Sequence, residues 1–371
     1  MTTREATIAL NLLPRVGPVR VRRLIEALGS ASAILQASSS TLCKIKGIGR
    51  ETATMITHWE DHVDLSAELQ EAQQRGIRII TQEDPLYPST LSHIYDPPLA
   101  LYVWGELLEK DKHALAVVGS RRTTHYGRDC ARKLSAQLAQ SGFSILSGLA
   151  RGIDAQAHQG AIESGGRTIA VIGSGLAQLY PPEHMKLAEQ IADGHGAVVS
   201  EFPLQLPPDK RTFPMRNRIV AAWSSGILVV ECPKWSGSII TANLGSEMGK
   251  TVYAVPGPID QPSSAGCNQL IRDGATLVTS AHDILDDMEA LPLKLELELQ
   301  PSSTPLPELD AHESTVLQTL EATESSLDQI VTRSQLPVPI VISTLLKLEM
   351  KRLVRQLPGP RYLRRIPRTD E

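Results

Sequence analysis

Apolar positions recur at helical spacing early in the chain, in Ile8-Ala9-Leu10-Asn11-Leu12-Leu13 and again in Val21-Arg22-Arg23-Leu24-Ile25, which predicts short amphipathic helices over residues 1–75. The pattern changes over residues 76–290. Short continuous apolar runs appear at Ala116-Val117-Val118, Ser144-Ile145-Leu146, Ile169-Ala170-Val171-Ile172, Ala197-Val198-Val199, Ile227-Leu228-Val229-Val230 and Val252-Tyr253-Ala254-Val255. All but Ile227–Val230 are followed directly by Gly, Ser or Pro, and most then lead into a helical stretch. Runs that do not alternate with polar residues are buried on both faces, so they predict a mostly parallel sheet covered by helices. Residues 291–309 are rich in Pro, Ser and Leu, and the PSSTPLPE stretch cannot hold a helix, so it reads as a linker. Residues 310–371 read as a compact helical module closed by a hairpin. There a helix through Leu345–Met350 runs into a strand, the turn Pro358-Gly359-Pro360 and a second strand, the pattern of a winged helix.

Composition narrows the function classes. Among 371 residues only 4% are aromatic, which argues against a base-stacking surface of the RRM or OB type. The net charge is −4, so any nucleic-acid contact has to come from local patches. No apolar run approaches the roughly 18 residues of a membrane span. The first residues, with Glu5 early and no small-residue cleavage site, do not read as a signal peptide. Cys43, Cys130, Cys232 and Cys267 are scattered without metal-ligand spacing. The expectation is a reduced, cytoplasmic protein with no metal, no cofactor and no membrane partner.

Several glycine- and serine-rich loops carry candidate chemistry. Ile45-Lys46-Gly47-Ile48-Gly49-Arg50 is a G-x-G turn opening a helix, with Val16-Gly17-Pro18-Val19 as a degenerate partner; together they form a helix-hairpin-helix pattern that either contacts a phosphate backbone or only packs. Gly119-Ser120-Arg121-Arg122 follows a buried strand, at the end of an open sheet where ligands bind. Two arginines stand there where a dinucleotide fold has glycines, and guanidinium groups suit a phosphate held bidentately. Ser147-Gly148-Leu149-Ala150-Arg151-Gly152-Ile153-Asp154 repeats the logic after the next strand, with Asp154 read as a helix N-cap and His158 as packing. Gly173-Ser174-Gly175 follows a third strand. Arg216 and Arg218, flanking Asn217, sit near a helix start, where cations are unfavourable unless an anion or acidic partner compensates. Ser236-Gly237-Ser238 with Thr241 forms another small-residue loop able to offer donors to phosphate. Gly245–Thr251 only imitates a P-loop. Leu244 occupies the place of its first glycine, and the Gly-Lys-Thr leaves a helix and enters a strand.

The stretches VVGSRR (117–122), SGLARGIDAQAH (147–158), IGSGL (172–176), SEFP (200–203), FPMRNRI (213–219), VVEC and WSGSIITA (229–242), VYAVPG (252–257) and GCNQLIRDGA (266–275) together resemble the DprA/Smf family. The resemblance implies an α/β fold: an extended Rossmann-like parallel sheet core with an N-terminal helix-hairpin-helix (SAM-like) domain and a C-terminal winged-helix domain. It implies a homodimer that is not an enzyme. Such a protein binds single-stranded DNA, protects incoming strands in natural transformation and helps load RecA recombinase past single-strand-binding protein. It places Arg121 in the DNA pocket. A family lysine or arginine that follows the Y-P-x-x-[NH] segment falls here on Met185, with Lys186 one place on. Two other readings stay open. A nucleotide N-glycosidase would need a carboxylate where Leu244 stands, and a winged-helix transcription factor would prefer duplex to single strands.

Overall fold

The computed structural model describes residues 1–290, 310–320, 325–351, 354–357 and 361–364. The chain divides into two compact units, Met1–Leu295 and Glu296–Glu371. Within the described residues no helix is long and apolar enough to cross a membrane.

In the first unit, short helices precede the sheet. Helix Thr3–Leu12 starts on a capping box in which the Thr2 hydroxyl accepts from the Glu5 N–H and the Glu5 carboxylate accepts from the Thr2 N–H. The two helix-hairpin-helix turns place Gly17 and Gly49 as N-caps of helices Pro18–Leu28 and Arg50–Thr57, with no side-chain cap at either. The helices enclose a core that includes Leu10, Leu24, Ile34, Leu42 and Ile56.

The sheet has nine strands: β1 (Ile77–Thr81), β2 (Ala100–Gly105), β3 (Ala114–Val118), β4 (Ser144–Ser147), β5 (Thr168–Val171), β6 (Gly196–Ser200), β7 (Gly226–Val229), β8 (Thr251–Ala254) and β9 (Thr276–Leu277). Their order is β1-β2-β6-β5-β4-β3-β7-β8-β9. The stretch from β6 to β9 is parallel throughout, while β1 and β2 add antiparallel at one side. All six strands expected from the apolar runs are present; β1, β2 and β9 extend the sheet beyond them.

Strand β3 is buried at every position, and its side chains alternate between two cores. Ala114, Ala116 and Val118 join the layer containing Ile219, Val220 and Trp223 of helix Thr212–Trp223. Leu115 and Val117 join the layer containing Ala131, Leu134 and Leu138 of helix His125–Gln140. This two-sided burial is what makes the run continuous rather than alternating. The chain winds outward from β3 through β4 and β5 to β6, then crosses to β7 on the other side of β3. The β3/β7 boundary is therefore the topological switch point, where open α/β sheets form a crevice beyond the strand ends.

In the second unit, helices Ala311–Thr319, Leu327–Ser334 and Val338–Met350 pack with strands β10 (Ser325–Ser326), β11 (Val354–Leu357) and β12 (Arg361–Arg364), which form an antiparallel sheet in the order β10-β12-β11. Val316, Ile330, Val341, Leu345 and Tyr362 are in its core. This is the helix-plus-wing arrangement expected from the sequence. The linker 291–309, the turn residues Pro358, Gly359 and Pro360, and the basic residues Arg352, Arg365 and Arg368 lie outside the described residues.

Candidate functional site

Strands β3, β4 and β5 end in loops that meet the start of helix Thr212–Trp223 in one cleft. Arg121, Gly148, Ala150 and Arg151 line it from the strand side, and Tyr180, Pro181, Phe213 and Arg216 from the other. The Tyr180 and Phe213 rings lie against each other, centroids 5.8 Å apart and tilted by 54°. Each carries a guanidinium: Arg121 stands 5.2 Å from the Phe213 centroid, and Arg151 stands 5.8 Å from that of Tyr180. Arg151 also pairs through Nε with Glu183 Oε1 at 2.5 Å, and both groups are about half exposed. Arg121 is exposed, and among the described residues no carboxylate pairs with it.

The floor is Arg216, which is 5% exposed. Its Nη1 donates to Gly148 O at 2.6 Å and to Val171 O, and its Nε donates to Asn217 Oδ1 at 3.2 Å. Burial holds its pKa down at about 10, Asp154 opposing that shift and Arg121 adding to it, so it stays charged at neutral pH. Gly148 has to be glycine for this to work, because a Cβ there would stand 2.5 Å from the Arg216 guanidinium. The Asp154 carboxylate accepts from Gly148 N at 3.1 Å and Ala150 N at 3.3 Å, and burial pushes its pKa up against the pull of Arg216. This corrects the expected N-cap: Gly152 caps helix Ile153–Glu163, and Asp154 lies in its first turn, holding the loop instead. His158 packs, as expected. Thr168 Oγ1 gives its proton to Ile145 O, so His158 Nδ1 is the donor in its 2.6 Å bond to that hydroxyl, and burial keeps the ring neutral with a pKa of about 3.

The Gly119–Thr124 loop is shaped by a residue that sequence reasoning passed over as a site residue. Glu231, just beyond β7, is 3% exposed. Its carboxylate accepts from Thr123 Oγ1 at 2.7 Å, Thr124 N at 3.0 Å and Thr124 Oγ1 at 3.1 Å, and its backbone O accepts from Ser120 N at 2.6 Å. Ser120 Oγ accepts from Arg122 N at 3.1 Å, which closes the turn that presents Arg121. Arg122 is exposed on this loop, outside the cleft lining.

The remaining expected site residues are not brought into the cleft. Arg218 is buried and faces away: its Nη2 pairs with Glu201, itself buried, and its Nε lies 3.0 Å from Asp96 Oδ2. The acidic partner that the helix-end argument required belongs to the chain itself, so the expectation that Arg218 meets DNA is corrected. The Gly173-Ser174-Gly175 loop is corrected too. All three residues are buried, with Gly173 O accepting from Thr212 Oγ1, Ser174 O accepting from Ser200 Oγ, Gly175 N donating to Leu206 O at 2.8 Å, and the Ser174 hydroxyl enclosed without a partner. A Cβ on Gly175 would fall 2.1 Å from the carbonyl oxygens of Pro203 and Leu204, so this loop is packed shut. Ser236 caps helix Gly237–Glu247 by accepting from Ser238 N, the Ser236 and Ser238 hydroxyls are 2.7 Å apart, and Thr241 Oγ1 donates to Gly237 O. These hydroxyls are therefore occupied, although Asn217 Nδ2, 3.5 Å from Gly237 O, ties their loop to the cleft floor. Lys186 is exposed on helix Met185–Gln190, outside the lining.

The comparisons with known proteins agree with this architecture. The model of the family described as DNA recombination-mediator protein A matches residues 78–289, a DprA winged helix domain matches 300–360, and a SAM-like helix-hairpin-helix tandem matches 8–57. The chain is similar to protein Smf of Synechocystis sp., with 34% identity over 390 residues, covering 96% of this chain and 98% of that protein. Among solved structures it is similar to DNA processing protein A of Streptococcus pneumoniae, with a TM-score of 0.67 and 34% identity over 77% of this chain and 98% of that one. It is also similar to DNA processing protein A of Helicobacter pylori, a structure described by its single-stranded DNA binding mode, with a TM-score of 0.52 and 28% identity over 57% of this chain and 96% of that one.

Proposed function

The chain belongs to the DprA/Smf family of DNA recombination-mediator proteins, and from that premise we propose that it binds single-stranded DNA in the cleft beyond β3, β4 and β5. The observation that carries this reading is Arg121: an exposed guanidinium, stacked on Phe213 and unpaired with any carboxylate among the described residues, above a charged and buried Arg216. A phosphate there receives a charge-assisted hydrogen bond from a group held by Glu231 and Ser120. Arg122 and Arg151 extend the cationic rim, and the rings of Tyr180 and Phe213 give the cleft an apolar wall. In this reading the protein is a cytoplasmic homodimer without catalytic activity that protects incoming strands during natural transformation and hands them to RecA in place of single-strand-binding protein. The outer strand β9, with Leu277 half exposed at the sheet edge, is a surface such a dimer could use.

Neither competing reading gains support. Leu244, where a glycosidase needs its acid, packs against the core. Helix Val338–Met350, which a duplex-reading winged helix would place in the major groove, carries a single cation, Lys347, and that one faces Asp310 at 3.5 Å. The test is Arg121→Ala in fluorescence anisotropy with mixed-sequence single strands across a salt series. A charged hydrogen bond of about 1.5–3 kcal/mol predicts binding weaker by about tenfold or more. One phosphate contact fewer predicts a log–log salt slope shallower by about 0.7. A folded variant that binds single strands as wild type does would remove the cleft from consideration.

A further inference from the structure

Trp235 is 90% exposed, whereas Trp223 is buried and Trp59 and Trp104 are half-buried. An indole left in water costs the chain its hydrophobic gain, and nothing in the packing of the first unit calls for one here. Its position is specific. Trp235 lies in the connection from β7 to helix Gly237–Glu247, four residues beyond Glu231, and β7 pairs directly with β3, whose loop carries Arg121. The two loops are joined at their base, since Ser120 N donates to Glu231 O at 2.6 Å. From the other side, the cleft floor reaches the same loop through the pairs Arg216 Nε to Asn217 Oδ1 and Asn217 Nδ2 to Gly237 O. The indole therefore stands on the β7 side of the switch point and Arg121 on the β3 side, with exposed Lys234 the preceding residue of the same loop.

We propose that Trp235 is a base-stacking platform, its indole taking one nucleobase of the strand whose phosphate is held at Arg121. The inference rests on the single-strand reading of the cleft and adds a contact to the base, which guanidinium groups do not supply. A planar ring beside cations fits a nucleic acid strand, because the backbone anions meet Lys234 and Arg121 while the base meets the π-face, and every base has such a face, so sequence preference stays slight.

The test uses the full chain with two probes, an oligothymidylate and an abasic deoxyribose-phosphate strand of the same length. In wild type, oligothymidylate quenches tryptophan emission, and Trp235→Phe abolishes the quench while keeping most of the affinity. Trp235→Ala, at a site too exposed to disturb the fold, weakens oligothymidylate about tenfold. It changes abasic-strand binding less than twofold and leaves the salt slope as in wild type, because stacking releases no counterion. Trp235→Ala that binds oligothymidylate as wild type does, or that weakens both probes equally, overturns the proposal. So does a change in mass by light scattering with DNA binding intact, which would make the ring a protein contact. Failure of the underlying cleft reading is separate, since it appears as Arg121→Ala binding like wild type.

Discussion

Arg218→Ala separates a structural arginine from a DNA-binding one. Arg218 and Glu201 are 7% exposed each, and the pair is sealed beneath helix Thr212–Trp223 on the side away from the cleft. Burial already pushes the Glu201 carboxyl above its ordinary value of 4.5, and Arg218 is the group pulling it back down. Deleting the guanidinium strands a buried carboxylate, a change that costs about 3–5 kcal/mol. Protonation sets the ceiling, because keeping a proton at about pH 8 on a carboxyl whose unfolded value is near 4.5 costs about 5 kcal/mol. The sign of the pH dependence follows. In the variant the folded pKa of Glu201 rises further, so between the wild-type and variant folded values the variant keeps a proton that wild type has released. Its deficit relative to wild type therefore grows as pH rises, by up to about 1.4 kcal/mol per unit, and shrinks on acidification. Urea unfolding followed by circular dichroism at about pH 6 and about pH 8 reads both numbers. Single-strand anisotropy at the lower pH, where the variant is mostly folded, is expected to match wild type. A variant as stable as wild type but at least tenfold weaker on DNA would show that Arg218 meets the strand and that the buried pair is misassigned.

Three further outcomes follow from the same geometry. Folded His158 resists protonation down to about 3, so its contribution to stability is present above its ordinary value of 6.5 and is lost as pH falls below it; His158→Gln should flatten the stability profile between about pH 6.5 and pH 5 by up to about 1.4 kcal/mol per unit in unfolding free energy from denaturant titrations. Gly148→Ala sets a Cβ 2.5 Å from the Arg216 guanidinium, so it should cost about 1–3 kcal/mol in unfolding free energy and weaken single-strand binding as the cleft floor shifts. Glu231→Ala removes the acceptor for Thr124 N–H and two threonine hydroxyls, for about 1–3 kcal/mol, and amide hydrogen exchange over Ser120–Thr124 should accelerate while exchange in β5 and β6 stays slow.

How much of this was legible depended on which physical signal each residue carries. Strands β3 to β8 announce themselves because burial on both faces forces continuous apolar runs ending in small residues. Strand β2 carries a run of the same kind, Ala100–Gly105, while β1, Ile77–Thr81, is broken by the exposed Arg78; both pair antiparallel and precede no crossover helix, so the strand-then-helix rhythm did not mark them. Strand β9 spans two residues and is too short for any periodicity. The loops that build the cleft were readable as strand ends, yet side-chain direction was not. Arg216 and Arg218 are two apart on one helix, hence about 200° apart around its axis, so one reaches the cleft and the other a buried acid. Cations near that helix start do require compensation, and Asp154, Glu201 and Asp96 supply it from within the chain. An aromatic content of 4% is an average over the chain, and an average cannot report that Tyr180 and Phe213 meet beneath two guanidinium groups.

The depth of each arginine decides what it can contribute in a chain whose net charge is −4. Arg216 is fixed by two carbonyls and balanced by Asp154, so its field at the cleft is partly cancelled and its removal would disturb the fold as much as the ligand site. Arg151 already holds Glu183, so a phosphate arriving there exchanges one anion for another and gains only the difference. Arg121 has neither constraint. Its guanidinium is exposed, lies on an aromatic face that displaces water without neutralising charge, and keeps its hydrogen-bonding edge unspent among the described residues. Most of the free energy a strand gains in the cleft should therefore enter through a residue whose loss costs the fold little, and that lets binding be changed there apart from stability.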